Sequence, residues 1–435
     1  MSEEFIVSIE KLVYGGDGLA HDGDRTVFAP FVLPGEEVRV ATTAQKKKLV
    51  WTKPIEIVKA APARVPPLCS HFKTCGGCHY QHIQAEEQTK LKTEILRETL
   101  SRLGGVRWDG DIRAHSAAPY EYRNRAQWAV RPAMPRALGY FLPESSKIVP
   151  IDECPVLSPL LARTFRTLQD LTRANSLPGQ VVEIEAFADS KDEKLALNIA
   201  FHEFAAAPAA LIQSFREALP YLESLLLLDQ KKNRFELSGP GFLTHSAGGF
   251  HFRVSHLSFF QINRFLIEEL LQAVIGGKKG SLALDLYAGV GFFSLPLAKS
   301  FERVISVDAN LAATRDLRTN AESAELAITS HNLHTEEFVK KFDEQPDLVV
   351  LDPPRSGLGQ ATSSQLAELQ APEIVYLSCD PSTLARDLAV LVQTERVPVG
   401  AKPDAAPYEI RKIEMFDLFP QTHHIETLVH LGLRA

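Results

Sequence analysis

Strand-like and helix-like segments alternate through the last ~175 residues of this chain, an order that a parallel sheet wrapped by helices accommodates. A helical pattern at ~262–275 leads into a strand at 282–286, then a helix at ~293–299 and a strand at 304–307. A helix at ~310–323, a strand at 348–351, a helix at ~362–369, a strand at 374–378 and a helix at ~382–393 follow. Asp347-Leu348-Val349-Val350-Leu351 is apolar on both faces, as a strand covered by helices on each side must be. The expected fold class is therefore α/β, with a doubly covered, Rossmann-like sheet at residues 256–435.

The start of the chain has a different period. Phe5, Val7 and Ile9 alternate with polar residues, and Val27-Phe28, Val38/Val40, Leu49-Val50-Trp51 and Ile55/Ile57-Val58 recur at short intervals. Turn residues such as Tyr14-Gly15-Gly16-Asp17-Gly18 punctuate them. Five short strands predict an OB-like β-barrel over residues 1–60. Between the two lies a mixed α+β stretch, 61–255. It opens on Pro62, Pro66 and Pro67, carries a helix over 86–103, and contains strand patterns at 181–187, 195–201 and 250–254. With 435 residues, three units is the division that ordinary domain sizes favour.

Charge and cysteine usage narrow the function. Lys+Arg 47 against Asp+Glu 54 leaves a net charge of −7, which argues against coating nucleic acid by bulk charge. Locally the balance reverses. Residues 90–136 hold ten Lys and Arg against five Asp and Glu, about +5. Tyr120, Tyr122 and Trp128 interleave with them, and such a mixture can face RNA or form an ordinary exposed strand face. No apolar run approaches the ~18 residues of a membrane span. The start, Met1-Ser2-Glu3-Glu4-Phe5, lacks a basic and apolar secretory signal, so a cytoplasmic protein is expected. Five cysteines are too few for a disulfide scaffold. Cys69, Cys75 and Cys78 share one loop, Cys154 lies downstream, and Cys379 stands apart.

The chemistry-bearing motifs fall at strand ends. Asp285-Leu286-Tyr287-Ala288-Gly289-Val290-Gly291 closes one strand and opens a helix, and Asp308 follows the next strand. A glycine-rich turn with an acid after the second strand reads as a site for a nucleoside-containing cofactor, NAD or S-adenosylmethionine (SAM). Asp352-Pro353-Pro354-Arg355 directs a carboxylate into the same cleft, and Asp-Pro-Pro favours a methyltransferase. In Ser378-Cys379-Asp380-Pro381-Ser382-Thr383 a thiol sits where strand gives way to helix, a position suited to a nucleophile. Phe419-Pro420-Gln421-Thr422-His423-His424-Ile425-Glu426 leads into a last strand, with Glu426 a candidate general base.

Together these motifs resemble the RNA uracil-C5 methyltransferase family. The resemblance covers nearly the whole chain and takes in Phe260-Gln261-Ile262-Asn263, Ser378–Asp387, the terminal His424-x-Glu426 and the cysteine loop. It implies SAM-dependent methylation of C5 of an RNA uridine, with Cys379 adding to C6 and Glu426 removing the C5 proton. It assigns SAM contacts to Gln261, Tyr287, Asp308 and Asp352, to which Asn332, by its place after the next strand region, adds an expected contact on the adenine side, and it likens the barrel to a TRAM domain. It also implies a 4Fe–4S cluster on Cys69, Cys75, Cys78 and Cys154, for which a four-cysteine zinc site is the physical rival. Ribosomal 23S RNA is the expected substrate, with the T-loop uridine of tRNA as the alternative and a monomer as the expected state. Two other readings are an amino-methyltransferase that dispenses with Cys379 and Glu426, and an RNA-binding protein without catalysis.

Overall fold

The computed structural model describes residues 3–131, 136–178, 180–204, 206–392 and 408–434. Residues 3–59 form strands β1 (Glu4–Ser8), β2 (Lys11–Leu12), β3 (Gly18–Asp22), β4 (Arg25–Ala29), β5 (Glu37–Lys46) and β6 (Leu49–Lys59). Among the described residues they make one sheet in the order β1-β5-β6-β4-β3-β2. Alternation buries Val7, Val27, Val38, Val40 and Val50 in a single core. Three register shifts between β5 and β6 mark bulges that curl the sheet and bring β1 against β3. The two strand patterns at 49–51 and 55–58 belong to one long strand, β6. Pro54 sits within it as a partner of Val40 in the shifted register. The short strands β2 and β3 carry no strong periodic signal, which is why five strands were expected.

Glu36 ties this sheet to the rest of the chain. Its carboxylate has no solvent exposure. It accepts from Leu33 N (2.8 Å), Ala61 N (3.2 Å) and the Arg64 guanidinium (Nη2, 2.8 Å). These bonds outweigh the burial cost and hold the carboxyl below its ordinary range.

Next come α1 (Ala85–Gly104), β7 (Ile112–His115), β8 (Arg125–Arg131), β9 (Ala137–Phe141), β10 (Ile148–Pro150) and α2 (Pro159–Arg173). They are followed by β11 (Val181–Ala188), β12 (Leu195–Phe201), α3 (Pro208–Ala218), β13 (Leu222–Asp229) and β14 (Arg234–Ser238). Strands β8 to β14 make a second sheet, β10-β9-β8-β11-β12-β13-β14, in which α3 carries the parallel β12–β13 crossover. Trp128, Phe165, Phe201 and Phe215 fill its core with side chains from α2 and α3. Helix α1 is one of the clearest sequence predictions. Glu86 and Glu87 occupy its first turn, and Gly105 ends it in a left-handed cap.

The remaining elements are the hairpin β15 (Phe242–Ala247) and β16 (Phe250–Ser255), then α4 (Ile267–Ile275), β17 (Gly280–Leu286), α5 (Ser294–Leu297) and β18 (Phe301–Val307). After them come α6 (Leu311–Ser323), β19 (Ile328–His331), α7 (Thr335–Val339), β20 (Leu348–Leu351), α8 (Gly359–Glu368) and β21 (Glu373–Ser378). The chain closes with α9 (Pro381–Leu391), β22 (Tyr408–Phe416) and β23 (Glu426–Leu433). Position 393, expected as the end of the last helix, lies outside the described residues. The sheet order is β19-β18-β17-β20-β21-β23-β22-β7. Strands β17 to β21 run parallel, as the alternation requires, and β23 is antiparallel to both its neighbours. The helix expected over 262–275 begins only at Ile267, because Asn263 turns away to donate to Leu418 O (3.1 Å).

Two pieces of the 61–255 stretch join this third sheet. Strand β7 pairs with β22, and α1 packs in the same core as α9 through Leu91, Ile95 and Leu100. His115 on β7 lies 2.6 Å from Glu269 and 3.0 Å from Glu414, stacked on Phe416 at 4.1 Å. The basic character of 90–136 is mostly spent inside the protein. Arg97 donates to Gly110 O, Arg125 pairs with Glu185, Arg136 donates to Leu177 O, and Tyr122 and Trp128 are buried.

Replacing Glu36 by Ala leaves Arg64 half-buried beside two unmet N–H groups and is expected to cost about 3 kcal/mol. Earlier proteolytic cutting in the 60–68 segment checks this. Because the folded carboxyl titrates below its ordinary value of 4.5, the wild-type contribution is full above that pH. It fades as pH falls through the folded value, so the difference between the proteins narrows in acid.

Candidate active site

Five functional side chains expected from the sequence lie side by side along one edge of the third sheet. Register sets their order. Val307 pairs with Leu286, Leu286 with Leu351, and Leu351 with Tyr376. Asp308, Tyr287, Asp352 and Cys379 therefore stand just beyond the C-terminal ends of β18, β17, β20 and β21, where ligands bind in such sheets. On the far side, Ser378 pairs with Thr427 in antiparallel β23. Glu426, the first residue of β23, thus adjoins Cys379.

Local chemistry explains how each side chain is presented. Asp380 caps α9, accepting from Ser382 N (2.8 Å) and Thr383 N (3.2 Å), with Pro381 at the first helical position. This ends β21 abruptly and leaves Cys379 at the junction. Buried Asp387 accepts from Leu358 N (2.8 Å), Gly359 N (3.1 Å) and Tyr376 Oη (2.8 Å), so the Arg-Asp pair ending that motif holds the 355–359 loop. In the glycine-rich turn Tyr287 has φ 66° and Gly291 φ 91°. A Cβ on Gly291 would come within 2.7 Å of Leu295. Gly289 N donates to Asp308 Oδ2 at 2.8 Å, which orients that carboxylate.

Gln261 and Asn332 join the edge from either end. Gln261 Nε2 lies 3.5 Å from Asp352 Oδ2, and Asn124 Nδ2 holds the Gln261 carbonyl at 3.1 Å. Asn332 follows β19, and its amide N–H groups bond Asp308 O and Ala309 O, both at 3.0 Å. Asn332 therefore braces the turn that presents Asp308.

The electrostatics are those of crowded, buried acids. Burial pushes Asp352 up to about 7, with Asp285 adding to the rise. Asp285 itself, buried at the end of β17 with Ser294 Oγ donating to it, is also raised to about 7. Burial and Asp352 hold Glu426 well above the carboxylate range, opposed only by Arg355. Burial, Glu426 and Asp352 push Cys379 up to about 12, again against Arg355.

Three residues near this edge were not foreseen as site residues. Tyr14 reaches in from the first sheet, its hydroxyl donating to Asp380 Oδ2 at 3.1 Å. No sequence signal marks that contact across 366 residues. Arg355 lies 3.5 Å from His424 Nδ1. Asp285 could have been found as an acid inside an otherwise apolar strand.

The other four cysteines line a single cavity of about 80 Å³ together with Arg123, Tyr140, Gln81 and Phe72. Gly76 is needed there, because a Cβ would press on Phe141 O and Pro143 N at 3.1 Å. Burial raises all four thiols, Cys78 to about 11 and Cys154 to about 12; neighbouring cysteines add to the rise at Cys75, Cys78 and Cys154 and Glu153 at Cys69, while Arg123 lowers Cys75, Cys78 and Cys154. Among the described residues no group of three or more His, Cys, Asp or Glu is placed to hold a metal ion. Four cysteine sulfurs lining one cavity are a donor set that either zinc or an iron–sulfur cluster can take.

Residues 111–434 match the family model described as tRNA (Uracil-5-)-methyltransferase. The chain belongs to this family. It is an RNA (uracil-C5-)-methyltransferase that depends on SAM. Among its relatives is the 23S rRNA (uracil(1939)-C(5))-methyltransferase RlmD of Halomonas elongata, 32% identical over 97% of this chain and 88% of that one. The RlmD of Alkalilimnicola ehrlichii is 31% identical over 98% and 96%. In fold it resembles the Pyrococcus abyssi tRNA (uracil-54, C5)-methyltransferase in complex with S-adenosyl-L-homocysteine. That match has a TM-score of 0.74 and 24% identity and covers 99% of this chain and 100% of that one. No helix among the described residues of the methyltransferase is long and apolar enough to cross a membrane.

A thiol with its pKa near 12 is about one part in 10⁵ thiolate at pH 7. In the ligand-free enzyme, iodoacetamide should label Cys379 slowly, with a rate that climbs about tenfold per pH unit from 7 to 10. Mass spectrometry of the labelled peptide checks this; a plateau below pH 10 would contradict it.

Proposed function

We propose that this enzyme methylates C5 of a uridine in 23S ribosomal RNA, with Cys379 as nucleophile and Glu426 as general base. The observation that carries the mechanism is the β21–β23 register, which places thiol and carboxylate together beside Asp352. Uracil C5 is a poor nucleophile until a thiolate adds to C6, which makes C5 enolate-like. SAM supplies the electrophilic methyl group. C5 would take that methyl as the methyl–sulfur bond breaks and S-adenosylhomocysteine leaves. Glu426 then takes the C5 proton, the C5–H electron pair forms the C5=C6 bond, and the C6–Sγ bond breaks to free Cys379. Arg355, the cation that lowers both Cys379 and Glu426, favours their charged, reactive forms. The target base must leave its stack to reach this buried edge, and an unpaired uridine costs least to extrude.

Gln261, Tyr287, Asp308, Asn332 and Asp352 line the SAM side in this reading. Asp308 is oriented for ribose hydroxyls, and Asn332 acts by bracing it. Cys69, Cys75, Cys78 and Cys154 would hold a 4Fe–4S cluster, a reading supported by the cavity they share. The cluster is structural here, since the addition mechanism needs no electron. The working division is a TRAM-like barrel at 1–60, a cluster-bearing unit at 61–255 and the catalytic unit at 256–435, with α1 and β7 lent to the third. The ribosomal substrate is favoured by full-length relatives of about 30% identity that act on 23S rRNA, while the family model and the similar solved structure are those of tRNA enzymes.

Cys379→Ala should abolish methylation of uracil in RNA, and Glu426→Gln should stall it after methyl transfer as a protein–RNA adduct stable on a denaturing gel. Mapping 5-methyluridine in 23S RNA and in the tRNA T-loop, with and without the gene, tests the substrate. Loss confined to tRNA would replace the ribosomal assignment. Protein purified without oxygen should contain roughly four irons per chain and lose them in Cys78→Ser. Stoichiometric zinc instead would overturn the cluster.

A further inference from the structure

The loop between β22 and β23, residues 417–425, ends at Glu426 and is held by groups remote from it in sequence, several of them in the 61–255 unit. Five consecutive carbonyls have donors. Asn263 Nδ2 reaches Asp417 O (3.5 Å) and Leu418 O (3.1 Å), Lys92 Nζ reaches Phe419 O (3.1 Å), and Tyr122 Oη reaches Pro420 O (3.1 Å). The backbone N–H groups of His79 and Tyr80, directly after Cys78, both donate to Gln421 O at 2.8 and 2.9 Å. Lys92, with no solvent exposure, also donates to Asp417 Oδ1 at 2.7 Å.

Gln88 on α1 completes the hold. Its Oε1 accepts from Gln421 N (2.9 Å) and its Nε2 donates to Gln421 Oε1 (3.0 Å). The same Nε2 reaches Tyr80 O at 3.1 Å and Ile83 O at 2.8 Å. Gln88 thus bridges the cysteine loop and the base-bearing loop. Gln421 needs such a hold, because its φ of 69° is left-handed backbone that a non-glycine residue keeps only when its surroundings enforce it.

We propose that Gln88 is a positioning residue for the methylation reaction: by pinning Gln421 it aims Glu426 at the C5 proton. The proposal rests on Glu426 as the base. Its effect falls on one step. Addition of Cys379 and methyl transfer use groups on β21 and β20, whereas breaking the C5–H bond needs the carboxylate that the loop delivers. A carboxylate displaced by a fraction of an ångström leaves the methylated base bonded to Cys379 at C6.

The test is single-turnover kinetics with tritium-labelled SAM and an unmodified RNA transcript that the wild-type enzyme methylates. Gln88→Met keeps the side-chain length and removes its hydrogen bonds. It should leave methyl transfer within about threefold of wild type and slow release of methylated RNA by about tenfold or more, so that adduct accumulates. S-adenosylhomocysteine affinity by calorimetry should not change. Gln88→Met combined with Gln421→Met should be no slower than Gln88→Met alone, since the Nε2–Oε1 bond that Gln421→Met removes is already lost in Gln88→Met. Equal slowing of both steps, no slowing, or additive effects would overturn the proposal. If Gln88→Met does not fold, Tyr122→Phe, which deletes one hydroxyl from the same cradle, is measured alike, and wild-type release there overturns it. Glu426→Gln separates the two readings. Adduct in Glu426→Gln but not in Gln88→Met defeats the positioning role alone, whereas no adduct in Glu426→Gln defeats the base assignment and this proposal with it.

Discussion

The pairing of β21 with an antiparallel β23 is the contact on which the active site depends. In a parallel sheet the functional side chains collect where the strands end. A strand that runs the other way begins at that same edge. Glu426 opens β23 beside Cys379 for this reason, although 47 positions separate them in the chain. A slip of one residue would turn every side chain of β23 to the other face. Leu428, Val429 and Leu431, all fully buried, resist that slip.

The same edge concentrates acids. Asp285, Asp352 and Glu426 are buried within one cleft, and each is raised by burial and by at least one neighbouring acid. Such a cleft is poor in positive charge, and a cofactor carrying a sulfonium cation complements it. Arg355 supplies positive charge from the protein, and the loop that bears it is held by Asp387. The Asp-Pro-Pro-Arg and Ser-Cys-Asp-Pro motifs are in this sense one structural unit split between two strand ends.

The outlying parts of the chain converge on this edge. Tyr14 of the first sheet meets Asp380, and its ring meets His423 edge-on at 5.9 Å. His79, next to the cysteine cavity, packs against His423 at 4.3 Å. Burial keeps both imidazoles neutral, down to about 4, which allows close packing without charge repulsion. The first sheet, the cysteine loop and α1 thus buttress the 417–425 loop as well as extending the molecule's surface.

Much was legible in the sequence, for identifiable reasons. The doubly apolar run at 347–351 and the helices between strands specify a parallel sheet, because helical crossovers join parallel strands and cover both faces of the sheet. The motifs at 285–291, 352–359 and 378–387 are local, so their turns and caps can be read directly. Length and composition also limited the chain to a few units, and the cysteine spacing set Cys379 apart from the other four. Only the tertiary structure decided the rest. The local +5 of residues 90–136 had suggested a surface for RNA, yet Arg97, Arg125 and Arg136 bond within the protein and Tyr122 is core. That Cys69, Cys75, Cys78 and Cys154 share one cavity, that Gln88 holds Gln421, and that β7 leaves its neighbours to pair with β22 are long-range facts. Local patterns record what a residue prefers, whereas these partners are chosen by packing and register across hundreds of positions.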